Sequence, residues 1–157
     1  MLVDILRNLK ALLQNQLPAK LDQIELERAD GVTLEDIQSF FIQEGHRDVH
    51  FKYPAIAILG EATSANNAIS RRRELRHEVS VWITDREVSP DSELAQTKLL
   101  HYVEAVERVL ASDPTLGGKA VDSMVTSHEY SHERGKEFVR RAILYMRVLE
   151  RLSTNNY

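Results

Sequence analysis

Ser89 to Asp113, SPDSELAQTKLLHYVEAVERVLASD, is the stretch on which the fold turns. Ala95, Leu99, Tyr102, Val103, Val106, Val109 and Leu110 recur at i, i+4, i+7, i+8, i+11, i+14 and i+15. That spacing lines them along one helical face. Glu93, Gln96, Thr97, His101, Glu104, Glu107 and Arg108 fall mostly opposite, and Glu104 precedes Arg108 by four residues, the favoured order for a helix ion pair. Ser89-Pro90 reads as N-cap and first helical residue, with Asp91 and Glu93 placing negative charge in the first turn. Asp113-Pro114 ends the helix, because proline disfavours helical backbone in the residue before it. Apolar segments with strand-like patterning lie on both sides, so this helix is expected to cross a sheet built from both halves of the chain. Nothing on it resembles a catalytic group.

Upstream, Leu2, Ile5, Leu6, Leu9, Leu12 and Leu13 make an apolar stripe at helical spacing. The first helix is expected to run to about Gln16, with Pro18 kinking or restarting it before Leu21. Asp30-Gly31 marks a turn. Thr33 is placed to cap a short helical turn from Leu34 to Phe41, with Asp36 at the capping-box position. Glu44 to Lys52 reads as loop. Ala55 to Gly60, AIAILG, bounded by Pro54 and Gly60, reads as a buried strand. Glu61 to Ser70 has loop composition, so the basic RRRELR after it is expected on a long exposed hairpin. His77 to Asp85 alternates cleanly, with Val79, Val81 and Ile83 on one face and Ser80, Trp82 and Thr84 on the other. Trp82 on the polar face implies cover there, from a subunit or from the N-terminal helix.

Downstream, Thr115 to Gly118 is a turn with permissive glycines. Val121 to His128 alternates as a half-exposed strand, Ser131 to Lys136 is the next turn, and Phe138 to Glu150 is a long central strand. The order is helix, short helix, β, β, helix, β, β. This predicts an α+β fold with a four-stranded, mainly antiparallel mixed sheet and helices packed mostly on one face. Residues 1–150 form the single domain and residues 151–157 a polar tail. The core is expected from Leu9, Leu13, Ile56, Ile58, Val79, Val81, Ile83, Leu99, Val103, Val106, Leu144 and Met146.

Composition narrows the chemistry. At 157 residues and 43% hydrophobic, the chain can bury a core without staples. With no cysteine, disulfides, thiolate metal sites and a cysteine nucleophile are excluded, which fits a reducing compartment. No apolar run approaches the roughly 20 residues that span a bilayer. The N-terminus is a charged amphipathic pattern without a signal-peptide core. Net charge is −4, against a general nucleic-acid binder.

That charge is uneven. Residues 22–48 hold eight acids and two arginines, whereas residues 66–76 hold four arginines and one glutamate. Such asymmetry suits either two solvated surfaces or a self-associating molecule whose opposite faces meet. Arg71, Arg72, Arg73 and Arg76 are the candidate partner-facing loop; Glu25, Glu27, Asp30, Glu35 and Asp36 are the candidate subunit-contact surface. No aromatic residue interleaves the arginines, so direct nucleic-acid recognition is not expected. His46/His50 and His128/His132 are each four apart, a chelating spacing only on a helix, and both pairs are expected in solvated polar loops. Gly117-Gly118-Lys119 lacks the frame of a phosphate loop, and no G-x-S-x-G elbow is present. An enzyme is not expected, and neither is a cofactor.

Several stretches together resemble the tail terminator, or tail completion, proteins of tailed bacteriophages. They are LPAKL (Leu17 to Leu21) closing the first helix, YPAIAIL (Tyr53 to Leu59), RHEVSVWITD (Arg76 to Asp85), the following helix, DPTLGG (Asp113 to Gly118) and the closing pair of strands. The resemblance covers nearly the whole chain in order and rests on layout, with no fixed site residues. It implies a homo-oligomeric ring, typically a hexamer, on the head-proximal end of the tail tube. Such a ring stops tube polymerisation and provides the joint to the head–tail connector. The implied partners are self, tail tube protein, the connector or neck protein, and the tail sheath; the implied location is the virion tail, after assembly in the host cytoplasm. Head–tail joining and other minor neck proteins share the same plan. A nucleic-acid-binding module and a His-metal enzyme are the alternatives from other classes.

Overall fold

The computed structural model describes residues 2–42, 52–67, 72–86, 92–134 and 138–153. The elements in chain order are α1 (Leu2–Arg28), β1 (Ser39–Phe41), β2 (Ala55–Asn67), β3 (Arg72–Arg86), α2 (Ser92–Ser112), β4 (Asp122–Arg134) and β5 (Phe138–Ser153). Among the described residues they build an α+β fold with two helices and one mixed sheet in the order β1-β2-β3-β5-β4. β1 runs parallel to β2, and every other pairing is antiparallel.

The sheet has five strands where four are expected. The segment read as a short helical turn, Leu34 to Phe41, is extended and ends in β1. The cause is local. The Glu25 carboxylate accepts the Leu34 amide, and the Gln38 amide donates to the Pro54 carbonyl at 2.8 Å. Those bonds hold the backbone straight and set Ser39 opposite Ala55. Leu34 and Phe40 then pack on the core.

α1 also differs from expectation, running unbroken through Pro18 to Arg28. Proline removes one intrahelical hydrogen bond. The stripe of Leu13, Leu17, Leu21 and Ile24, each essentially inaccessible, continues across it and outweighs that loss. Each such side chain contributes roughly 1.5–3 kcal/mol on burial. Ala29 (φ 47°) and Gly31 (φ 77°) then turn the chain away, and the Asp30 carboxylate accepts the Val32 amide at 3.1 Å.

α2 ends at Ser112, as Asp113-Pro114 predicts; its expected cap, Ser89-Pro90, lies outside the described residues. In the turn that follows, the Asp113 carboxylate accepts the Gly117 amide at 2.9 Å and the Thr115 hydroxyl at 3.0 Å. Leu116, at φ 51°, is thereby driven into the core.

Both helices cover one sheet face. Leu9, Leu13, Leu99, Val103 and Val106 meet Ile56, Ile58, Val79, Val81, Ile83, Leu144 and Met146 in a single cluster. Tyr102 is fully buried there and donates its hydroxyl to the Glu35 carbonyl at 2.8 Å. Desolvation pushes its phenol above the ordinary tyrosine range, with the Asp85 and Glu35 charges adding to the effect.

The strands outrun their expected ends. β2 continues through the loop-like EATSANN to Asn67, β4 continues through the expected Ser131 turn to Arg134, and β5 takes Arg151 to Ser153 from the expected tail. Each extension is imposed by a neighbour: Thr63 lies opposite His77, His132 opposite Arg140, and Ser153 opposite Arg72.

Pro18 is exposed, so replacing it should restore the lost helix hydrogen bond without disturbing packing. Pro18→Ala should stabilise the fold by about 1–3 kcal/mol, read as a raised urea midpoint at unchanged slope. A lower midpoint would mean that the proline ring is needed at that turn.

Candidate functional site

The surfaces available for work are set by the length mismatch between sheet and helices. β3, with 15 residues, spans roughly 50 Å at ~3.3 Å per residue, whereas α2, with 21, spans about 32 Å at ~1.5 Å per residue. Beyond the bulge row, the ends of β2, β3 and β5 form an arm, from Ala62 to Asn67, Arg72 to Glu78, and Arg147 to Ser153, whose helix-side face still buries Leu75, His77, Val148 and Glu150.

The arm is basic. Across those three segments five arginines stand against three glutamates, in a chain whose total is −4. Arg71 lies outside the described residues; Arg72, Arg73 and Arg76 sit in β3 rather than in a hairpin loop. Strand alternation separates Arg73 from Arg76, which lie on opposite faces, both exposed. Glu74 lies 3.8 Å from Arg151 across the ladder. On the helix-side face, His77 is buried, with its Nδ1 2.8 Å from the Thr63 hydroxyl and its Nε2 3.2 Å from a Glu150 carboxylate oxygen. This polar trio joins β2, β3 and β5 where the arm begins.

The second surface is the sheet face away from the helices. Trp82 lies here, so α1 is not its cover. It is half-buried among its own neighbours, with the Arg141 guanidinium 5.2 Å from its ring centroid and its indole N–H donating to Ser80 Oγ at 2.8 Å. The Ser80 hydroxyl donates in turn to Glu61 at 2.6 Å, and the Tyr145 hydroxyl donates to Glu129 at 2.7 Å. That hydrogen bond to Glu129 raises the Tyr145 phenol above its usual range.

A cleft of about 460 Å³ opens on this face between Glu61, Glu78, Thr126, Ser127, Tyr145 and Arg147. Two β-bulges frame it, one between Gly60 and Ala62 and one between Val125 and Ser127. Both break the ladder beside a single row, Gly60–Val79–Met146–Val125. A bulge bends and twists its strand, so the pair bends the sheet along one line. None of these face residues was marked by composition; only the period-2 alternation of β3 and β5 could have grouped them.

Glu44 and Asp48 of the acidic segment lie outside the described residues, and most of its described acids are engaged within the chain. Glu27 pairs with Arg108 at 2.8 Å, Arg28 with Glu104 at 2.6 Å, and Asp30 with His101 at 2.7 Å. These contacts tie the end of α1 to α2. The Arg108 bond holds the Glu27 carboxyl below its ordinary range, and the His101 bond does the same for Asp30. Lys98 stands 3.6 Å from both Glu35 and Asp85. Asp36 is exposed.

His46 and His50 lie outside the described residues. His128 and His132 sit on β4, where residues four apart are about 13 Å distant at ~3.3 Å per residue, too far to share an ion. His128 instead bonds Glu107 of α2. Among the described residues no group of three or more His, Asp or Glu could hold a metal ion, and no helix is long and apolar enough to cross a membrane.

Asp85 carries a testable pH signature. Burial raises its carboxyl above the ordinary range, Lys98 pulling the other way. A raised native value means that the folded state holds the proton longer than the unfolded chain does. The contribution of Asp85 is therefore fully present below about pH 4, the unfolded aspartate range, and is lost as pH rises through the native value. Asp85→Asn should gain stability relative to the parent as pH climbs from 4 to 7, read from urea midpoints. A difference that stays flat or falls would contradict the burial effect.

Compared with known proteins, the chain matches no protein-family model, and no curated protein matches it.

Proposed function

We propose that the chain is a structural subunit of a bacteriophage tail or neck, one that caps the head-proximal end of the tail tube as an oligomeric ring. In this reading it stops tube polymerisation, joins the tube to the head connector, and carries out no chemistry. Support comes from the resemblance of LPAKL, YPAIAIL, RHEVSVWITD and DPTLGG in chain order, and from the agreement of an α+β sheet with helices on one side.

One observation carries the reading furthest. The helix-free sheet face is neither a polar, solvated surface nor a closed core: Ala57 and Ile143 are buried on it, and Trp82 is half-buried beside a cleft. Beyond it extends a basic arm. An apolar-centred face with a charged rim has the make-up of a protein–protein contact. Repeating the arm around a ring multiplies a weak contact through multivalency. The same features serve the second reading, a head–tail joining or other minor neck protein, which differs in the partner bound.

Reversing Arg71, Arg72 and Arg73 together to glutamate should abolish tube capping or ring formation while leaving the circular dichroism spectrum unchanged. The assay is co-sedimentation with purified tail tubes, with tube ends counted by negative stain. Unaltered capping by the reversed variant would remove the arm from the account.

A further inference from the structure

Two long strand edges lack a partner among the described residues. β1 pairs with β2 from Ala55 to Ala57, and no described strand pairs with that side of β2 from Ile58 to Asn67. β4 ends the strand order, so no described strand pairs with its outer edge between Asp122 and Arg134. Proteins that stay monomeric blunt such edges with lysine, proline or very short strands. The free stretch of β2 carries one charge, Glu61, and neither lysine nor proline; β4 contains the uncharged run Ser123 to Ser127. Both exceed the usual strand of about 5–6 residues.

β1 is a short edge strand and β4 carries Asp122, Glu129, Glu133 and Arg134, but both edges also bear a bulge, and the two bulges sit beside the same row, Gly60–Val79–Met146–Val125. Placed at one level, they bend both edges together, so the outer edge of one copy keeps the course of the opposite edge of another.

Strand direction selects how copies join. β2 and β5 run one way, β3 and β4 the other. A copy set beside another by simple rotation brings β4 against β2 in antiparallel sense, with the helices on the same side. A β2–β2 junction would leave both β4 edges open. The β4–β2 junction uses both edges of every copy, and a heterologous contact of that kind closes into a ring when the rotation permits.

We infer that the β4 edge of one copy pairs antiparallel with the Ile58–Asn67 edge of the next, making one sheet continuous through the assembly. This rests on the ring reading above and specifies its contact. The partner is a second copy of the chain, held mainly by backbone hydrogen bonds, the mode of strand addition at a sheet edge.

The natural absence of cysteine supplies the test. Ala62, Ser64, Ser127 and Ser131 are exposed, and the register places them on the helix-free face. Single variants Ala62→Cys or Ser64→Cys are mixed with Ser127→Cys or Ser131→Cys, with purified tail tubes present, and oxidised. At least one of the four mixtures should give a disulfide-linked mixed dimer, while each β2 variant alone stays uncrosslinked. The matching double variant should give a ladder ending at one ring size. Self-crosslinking of a β2 variant, or rings seen by negative stain with no crosslink in any mixture, would overturn the edge pairing and leave the ring reading intact. Absence of both rings and tube binding would overturn both.

Discussion

The pairing of β3 with β5 is the constraint on which the rest of this molecule depends. It is unbroken from Arg72 opposite Ser153 to Arg86 opposite Val139. It places Val79, Val81 and Ile83 beside Met146, Leu144 and Ala142, the floor on which α1 and α2 settle. The same ladder continues to Arg72 and Ser153 as the arm. Core and arm are thus one piece of secondary structure. A register slip of one residue would expose the floor and bury the charges of the opposite face.

The ladder also fixes which surfaces the helix layer covers. Both helices pack on one face, which leaves the opposite face and the outer strand edges without helix cover among the described residues. The ion pairs between α1 and α2, Glu27–Arg108 and Arg28–Glu104, fix the helix layer from within, at partly exposed sites where each pair is worth little alone. The acids of the 22–42 stretch are therefore engaged mostly inside the subunit. The basic arm keeps Arg73 and Arg76 exposed.

Much of the fold was legible where burial and local chemistry agree. α2 and its stop at Asp113-Pro114, the strand around Val79 to Ile83, and the central place of β5 all follow from periodicity. The reading failed where a distant partner decides. Ser39–Phe41 is a strand because Pro54 and Ala55 offer it an edge, and nothing in SFF alone forbids a helical turn. EATSANN reads as loop because it buries little, yet β3 holds it in register. Pro18 reads as a break because the apolar stripe that spans it is a tertiary effect. The candidate site was the least legible part. The arginines stood out as a cluster, but strand parity divides them, and the cleft of Glu61, Glu78, Ser127, Tyr145 and Arg147 draws on four strands whose register no local pattern reveals.

The most direct test of the ring account is the mass of the purified chain by light scattering across concentration, with and without tail tubes, alongside negative-stain images. The account predicts a closed species of about six copies (the number implied by the resemblance), formed alone or templated at one end of each tube. A strict monomer at every concentration that leaves both tube ends bare would contradict it.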